Sequence, residues 1–255
     1  MPAAIEFRNL SYAIQGGRLI LDDISLAVEE GSTTVILGRS GSGKSTLLRT
    51  VNRLIEPTSG TVLVRGKQTD TSELIALRRG IGYVIQETGL FPHFTVERNV
   101  GLVLEAAGRP RAERAQRSRV LLTAVGLDPD QFARRHPHQL SGGQRQRVGL
   151  ARALAAEPEI LLMDEPFGAL DPLTRAEMQD MLRALLTRLR KTVLLVTHDL
   201  DEALYLGDRI VLLHEGRIVA HLAPEEFLRS PQPEVENYVR AFHRGERGAA
   251  RERQP

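Results

Sequence analysis

Short apolar runs separated by turns open the chain. Residues 5–10, 19–26 and 61–64 are such runs, as expected of strands in a partly exposed antiparallel sheet. Gly16-Gly17 and Glu30-Gly31 mark turns. Residues 33–37, Thr-Thr-Val-Ile-Leu, form a continuous apolar, β-branched run that suits a buried parallel strand. It leads directly into a glycine-rich segment, after which residues 44–54 read as a helix. Between about residues 88 and 150, strand-like runs give way to helical patterning at 96–107 and 111–125. This predicts a helical subdomain inserted into an α/β core. Residues 160–163 and 192–196 are further buried-strand candidates, with a helical stretch at 173–190 between them. That β-α-β alternation predicts a parallel sheet. Residues 209–213 and 217–221, joined at Glu215-Gly216, predict a terminal hairpin.

The glycine-rich segment, Gly38-Arg39-Ser40-Gly41-Ser42-Gly43-Lys44-Ser45-Thr46, fits the phosphate-loop pattern G-x-x-x-x-G-K-[ST]. Its glycines let backbone N–H groups turn inward around phosphate oxygens with no Cβ in the way. The helix that follows adds unpaired amides and the positive end of its dipole. Lys44 supplies a mobile charge to the β- and γ-phosphates, and the Ser45 hydroxyl can ligate Mg²⁺. Strand, glycine loop and helix occur in the order such a loop requires.

A second cluster follows the next buried strand, Ile160-Leu161-Leu162-Met163-Asp164-Glu165-Pro166. Open α/β sheets bind ligands at strand ends. Successive strand residues point opposite ways, so the two acids have different tasks. Asp164 is expected to hold Mg²⁺ through water, and Glu165 to act as general base toward the attacking water.

Taken in order, the phosphate loop, Gln86, Leu140-Ser141-Gly142-Gly143-Gln144, Asp164-Glu165, Ala169-Leu170-Asp171 and His198 resemble the ATPases of ATP-binding cassette (ABC) transporters over nearly the whole chain. The resemblance implies a P-loop NTPase (RecA-like) core with an N-terminal antiparallel β subdomain and the inserted helical subdomain, residues 1–240 forming one ABC ATPase domain. It implies a homodimer, or a paired cassette, with two ATP molecules sandwiched head to tail. Ser141, Gly142, Gly143 and Gln144 of one subunit would cap the γ-phosphate held by the other's loop, and Asp171 would sit at the dimer interface. A helix N-terminus with a serine and two glycines is a natural anion site. Gln86 would touch Mg²⁺ and the attacking water and link the site to a membrane partner. His198 would hydrogen-bond the γ-phosphate and orient Glu165.

One element departs from the family pattern. The ring expected to stack on adenine falls, by spacing, at Ile14, and the nearest aromatic is Tyr12. Either Tyr12 stacks from a displaced loop or Ile14 makes an aliphatic contact; Tyr12 could equally be a packed strand residue. Residues 52–60 and 81–93 resemble the osmoprotectant (glycine betaine, carnitine, choline) importers. By that resemblance the segment after Gln86 receives a short permease helix, with Leu90, Phe91 and Phe94 as apolar anchors or as subdomain core. The implied assembly adds an integral membrane permease and, indirectly, a periplasmic or lipid-anchored substrate-binding protein. The rival readings are a soluble ABC ATPase of repair, translation or cluster assembly, and an importer ATPase for another small solute. A regulator without turnover would need the loss of Glu165 or His198.

Composition bounds the setting. The chain has 255 residues, 42% hydrophobic and 26% charged, the balance of a globular protein. It contains no run of about 18 apolar residues and no signal-peptide pattern at its start. The expectation is a peripheral subunit at the cytoplasmic face of the cell membrane. The absence of cysteine excludes disulfides and thiolate metal sites. A net charge of +2 without a basic stripe argues against nucleic acid as a partner. Residues 241–255 are charged and poor in apolar side chains, which predicts a disordered tail whose sharper use is contact with anionic lipid. With so little chain beyond the terminal hairpin, a C-terminal regulatory domain is not expected.

Overall fold

The computed structural model describes residues 3–71 and 73–251, with side chains up to Phe242. The chain begins with β1 (Ala3–Ala13), β2 (Leu19–Glu29) and β3 (Thr33–Leu37), then α1 (Lys44–Val51), β4 (Ser59–Val64) and β5 (Lys67–Gln68). Next come α2 (Leu74–Arg79) and β6 (Ile81–Val84), followed by α3 (Val96–Ala106), α4 (Arg111–Ala124), α5 (Pro129–Phe132) and α6 (Gly142–Leu154). A single 3-10 turn, Pro137–Gln139, precedes α6. The chain then runs through β7 (Ile160–Asp164), α7 (Pro172–Leu189), β8 (Thr192–Thr197), α8 (Leu200–Leu206), β9 (Arg209–His214) and β10 (Arg217–Leu222). It ends in α9 (Pro224–Leu228) and α10 (Pro233–Arg251).

Two sheets result. The antiparallel one has the order β2-β1-β4-β5, and the larger one β10-β9-β3-β8-β7-β6. In the larger sheet β9, β3, β8, β7 and β6 pair in parallel, and β10 closes one edge as an antiparallel hairpin with β9. Every residue of β3, β7 and β8 is buried, which is why these segments read as unbroken apolar runs. Alternate side chains feed two different cores. Ile36, Leu162 and Leu194 pack with β1, β2 and α1, whereas Val35, Leu161 and Leu195 pack with the helices. No strand lies between Val84 and Ile160, so α3 to α6 form the helical insertion the patterning predicts.

The differences from expectation have local causes. α1 ends at Val51 and not at residue 54, because Arg53 takes φ 52° and the Leu54 and Ile55 N–H groups turn back to the Arg49 carbonyl. The apolar pattern does not predict β6, which is four residues long and contains Gly82, where a Cβ would meet the Ala153 carbonyl at 2.5 Å. The expected disordered tail is corrected for its first part: α10 stays helical through Arg251, while residues 252–255 lie outside the described residues. The helix forms because Val235, Tyr238, Val239 and Phe242 fall on one face and pack on the core. Among the described residues, no helix is long and apolar enough to cross a membrane.

The two-faced burial of β8 gives a direct test. Leu194→Ala and Leu195→Ala open cavities on opposite faces, and each is expected to cost about 2–5 kcal/mol in urea unfolding. Leu19→Ala, at a residue 53% exposed, is expected to change stability by less than about 0.5 kcal/mol. Similar losses for Leu19→Ala and either β8 variant would contradict this packing.

Candidate active site

The C-terminal end of β3, at the middle of the parallel sheet, delivers the phosphate loop. Gly41 and Gly43 take φ 80° and 99°, where a side chain is disfavoured. A Cβ on Gly43 would meet the Ile20 carbonyl at 2.8 Å, and one on Gly38 would strike the Leu213 carbonyl. The loop is therefore clamped between β2 and the end of β9. Gly216 N–H donates to the Ser42 carbonyl at 3.2 Å, adding the β9–β10 turn to the clamp. Arg39, Ser40 and Gly41 are exposed on its outer side, and Thr46 lies in the first turn of α1.

Lys44 begins α1 and is only 5% exposed. Its Nζ donates to the Gly38 and Arg39 carbonyls at 2.9 and 3.0 Å and lies 3.8 Å from Glu165 Oε1. Burial pulls its pKa down, and the Glu165 and Asp164 carboxylates oppose that shift. Ser45 Oγ donates to Asp164 Oδ1 at 2.6 Å. Asp164 is 1% exposed, and its other oxygen accepts from Arg49 at 3.1 Å and from the Tyr83 hydroxyl at 3.4 Å. Arg49 and Tyr83 were not anticipated. Arg49 lies four residues after Ser45 on the same helix face, a spacing that could have found it. Tyr83 escaped because its strand did.

Glu165 follows β7 at φ 43°, and its N–H donates to the Val196 carbonyl at 3.0 Å. This turn brings Glu165 Oε2 to 3.3 Å from His198 Nδ1, just beyond β8. The structure thus brings Lys44, Ser45, Asp164, Glu165 and His198, each a residue expected at the site, into one neighbourhood. The neighbourhood suits a nucleotide. Ser42 Oγ is buried without a hydrogen-bond partner, and the loop leaves no room for a Cβ at two of its glycines. Among the described residues, no cluster of three or more His, Asp or Glu could hold a metal alone. One carboxylate beside one hydroxyl matches Mg²⁺, which is commonly held by one or two carboxylates together with phosphate oxygens.

Gln86 is exposed at the end of β6, in a loop held by α6: its carbonyl accepts from Gln146 Nε2 at 3.3 Å. Arg152, one of the last residues of α6, donates 2.6 Å bonds to the Thr88 and Gly89 carbonyls. Leu90 packs on the core, while Phe91 is exposed and Phe94 lies under the Arg98 guanidinium.

Ser141 caps α6, with its Oγ accepting from Gln144 N–H at 3.3 Å and the Gln144 amide oxygen accepting from Ser141 N–H at 3.0 Å. Asp171 caps α7 by accepting from Thr174 N–H at 3.1 Å, and this bonding lowers its pKa. The two caps are neighbours, since a Cβ on Gly143 would meet Thr174 Cγ2 at 2.5 Å and one on Gly142 would touch Leu170. Among the described residues, no hydrogen bond or ion pair joins 141–144 to 38–46. Tyr12 pairs with Leu21 and packs against the core of the β subdomain, whereas Ile14 is 42% exposed at the β1–β2 turn.

Residues 21–168 match the family model described as ABC transporter. The choline transport ATP-binding protein OpuBA of Bacillus subtilis (strain 168) is 44% identical over 236 residues, 92% of this chain and 62% of that protein. The chain thus spans less than two thirds of that relative. The glycine betaine uptake system ATP-binding protein YehX of Escherichia coli (strain K12) is 44% identical over 238 residues, 93% of this chain and 76% of its own. Among solved structures, a dimeric post-hydrolysis state of the ATP-binding cassette MJ0796 bound to ADP and Pi is 35% identical with a TM-score of 0.77, covering 86% of this chain and 98% of that one. With the family model spanning more than half of its length and a relative matched over most of its own, the chain belongs to the ABC transporter family.

Proposed function

We propose that this chain is the ATP-hydrolysing subunit of an ABC importer for a quaternary-amine osmoprotectant. The observation that carries the reading is the convergence of Lys44, Ser45, Asp164, Glu165 and His198 on one glycine loop. The loop amides and Lys44 bind the β- and γ-phosphates of ATP, Lys44 exchanging its carbonyl partners for phosphate oxygens. Ser45, Asp164 and Gln86 would hold Mg²⁺, which when bound neutralises charge on the β- and γ-phosphates. Glu165 accepts the proton of the attacking water, and His198 orients Glu165 and contacts the γ-phosphate. Exposure of Ile14, with Tyr12 packed inward, favours Ile14 as the adenine contact.

The second half of each site comes from another copy. The caps at Ser141 and Asp171 lie together and make no bond to their own phosphate loop, which suits donation in trans. Ser141, Gly142, Gly143 and Gln144 then face the γ-phosphate of the partner's site; that the similar MJ0796 cassette is dimeric and bound to ADP and Pi supports the pairing of two copies. ATP drives closure because it binds the closed dimer better than the open one. Closure is passed to an integral membrane permease through the loop after Gln86, where Phe91 is exposed. A substrate-binding protein outside the membrane supplies cargo, and this subunit works peripherally at the cytoplasmic face. Choline and glycine betaine, in the names of the relatives, support the cargo class.

Three measurements test this. Glu165→Gln is expected to lower phosphate release at least about 100-fold while ATP and Mg²⁺ still drive dimerisation in light-scattering chromatography. A variant that stays monomeric in ATP would refute the sandwich. Lys44→Ala is expected to weaken ATP binding at least about tenfold by calorimetry, and an unchanged affinity removes its assigned role. In vesicles holding the permease and binding protein, choline or glycine betaine is expected to stimulate hydrolysis. Stimulation by an unrelated solute and by neither amine would overturn the cargo class.

A further inference from the structure

The C-terminal helix brings into the site a group that none of the family motifs contains. α10 is seated by Val235, which is fully buried, and by Tyr238, Val239 and Phe242. From that face the Tyr238 hydroxyl donates a 2.8 Å hydrogen bond to the His198 carbonyl oxygen. Arg39, Glu165, His198, Asn237 and Tyr238 line one cleft of about 680 Å³. Burial pushes the Tyr238 hydroxyl up to about 12, reinforced by Asp199 and opposed by Arg39, so it remains a donor at neutral pH.

His198 occupies the short link between β8 and α8, and its two neighbours are already fixed. Thr197 Oγ1 donates to Glu202 at 2.6 Å and accepts from Asp199 N–H at 3.0 Å. Asp199 is held by Arg175 of α7 at 3.1 Å. The His198 carbonyl is held by Tyr238, from a helix otherwise remote in sequence. The backbone fixes the direction of the Cα–Cβ bond, so the peptide that Tyr238 grips limits where the imidazole can reach.

We propose that Tyr238 is a positioning residue, which fixes the peptide after His198 and thereby keeps its Nδ1 aimed at Glu165. The proposal rests on the ATP-hydrolysis reading above. Misplacement of a catalytic group by about 1 Å can cost about 100-fold in rate. The loss of one restraint among several is expected to cost less.

The test is steady-state ATP hydrolysis and thermal unfolding of the full chain and two variants. Tyr238→Phe keeps the ring and removes the hydroxyl. It is expected to lower kcat about tenfold, with KM for ATP within about twofold and the melting midpoint within about 2 °C. Val239→Ala loosens the same helix without touching the hydroxyl. It is expected to lower the midpoint by about 2–4 °C, with kcat within about twofold. A wild-type kcat in Tyr238→Phe overturns the proposal, as does an equal kcat loss in Val239→Ala. If the unaltered chain hydrolyses no ATP, the reading of the site itself fails. If it does and Tyr238→Phe matches it, the positioning role alone fails.

Discussion

A buried ammonium is costly unless its donors are met, and Lys44 is buried at the end of the central strand. Its partners are two carbonyls of its own loop and the Glu165 carboxylate. The loop that presents these carbonyls winds through Gly41 and Gly43 at left-handed φ and has no room for a Cβ at Gly38 or Gly43. The carboxylate is within reach only because β7 and β3 flank the same strand, β8. Strand order, glycine placement and the paired acids are thus parts of one solution to the placement of a single charge. The same solution leaves a site that favours a polyanion.

The neighbouring carboxyl groups divide their work through backbone geometry. Asp164 ends β7 and points to α1, where Ser45, Arg49 and Tyr83 surround it. Glu165 leaves the strand at a positive φ, which costs a non-glycine residue about 1–2 kcal/mol. Bonds from its N–H to Val196 and from Gly168 N–H to its carbonyl hold that turn. The strain turns the chain so that Glu165 faces His198 and not the cluster around Asp164. Two adjacent acids therefore serve different ends without competing for the same partners.

Most of this arrangement is legible in the sequence. Fully buried strands announce themselves as apolar runs, and the phosphate loop and paired acids sit at their ends. What escaped had weak local signals. β6 is four residues with a glycine required by close packing, so neither length nor alternation marked it. Residues 241–255 read as a tail from their charges, but residues 241–251 continue a helix whose apolar residues Val235, Tyr238, Val239 and Phe242 seat it on the core. Tyr12 shows the reverse limit: an aromatic near the expected position is a packed strand residue, because the β-strand register and not spacing decides which way it faces.

α6 joins the two ends of the proposed cycle mechanically. Its first turn is locked by the reciprocal Ser141–Gln144 bonds and packed on α7 through Gly143. Further along, Gln146 and Arg152 grip the backbone of residues 86, 88 and 89. Burial lowers the Arg152 pKa, but an arginine stays charged, and with backbone carbonyls as its bonded partners it ties the loop tightly to the helix. A helix of 13 residues is about 20 Å long and nearly rigid. Under the proposed cycle, a shift imposed on Ser141 by a nucleotide in trans would move the loop carrying Gln86 as one body. The proposed coupling would need no flexible relay, because the same helix carries the Ser141 cap at one end and the residues that hold the loop after Gln86 further along.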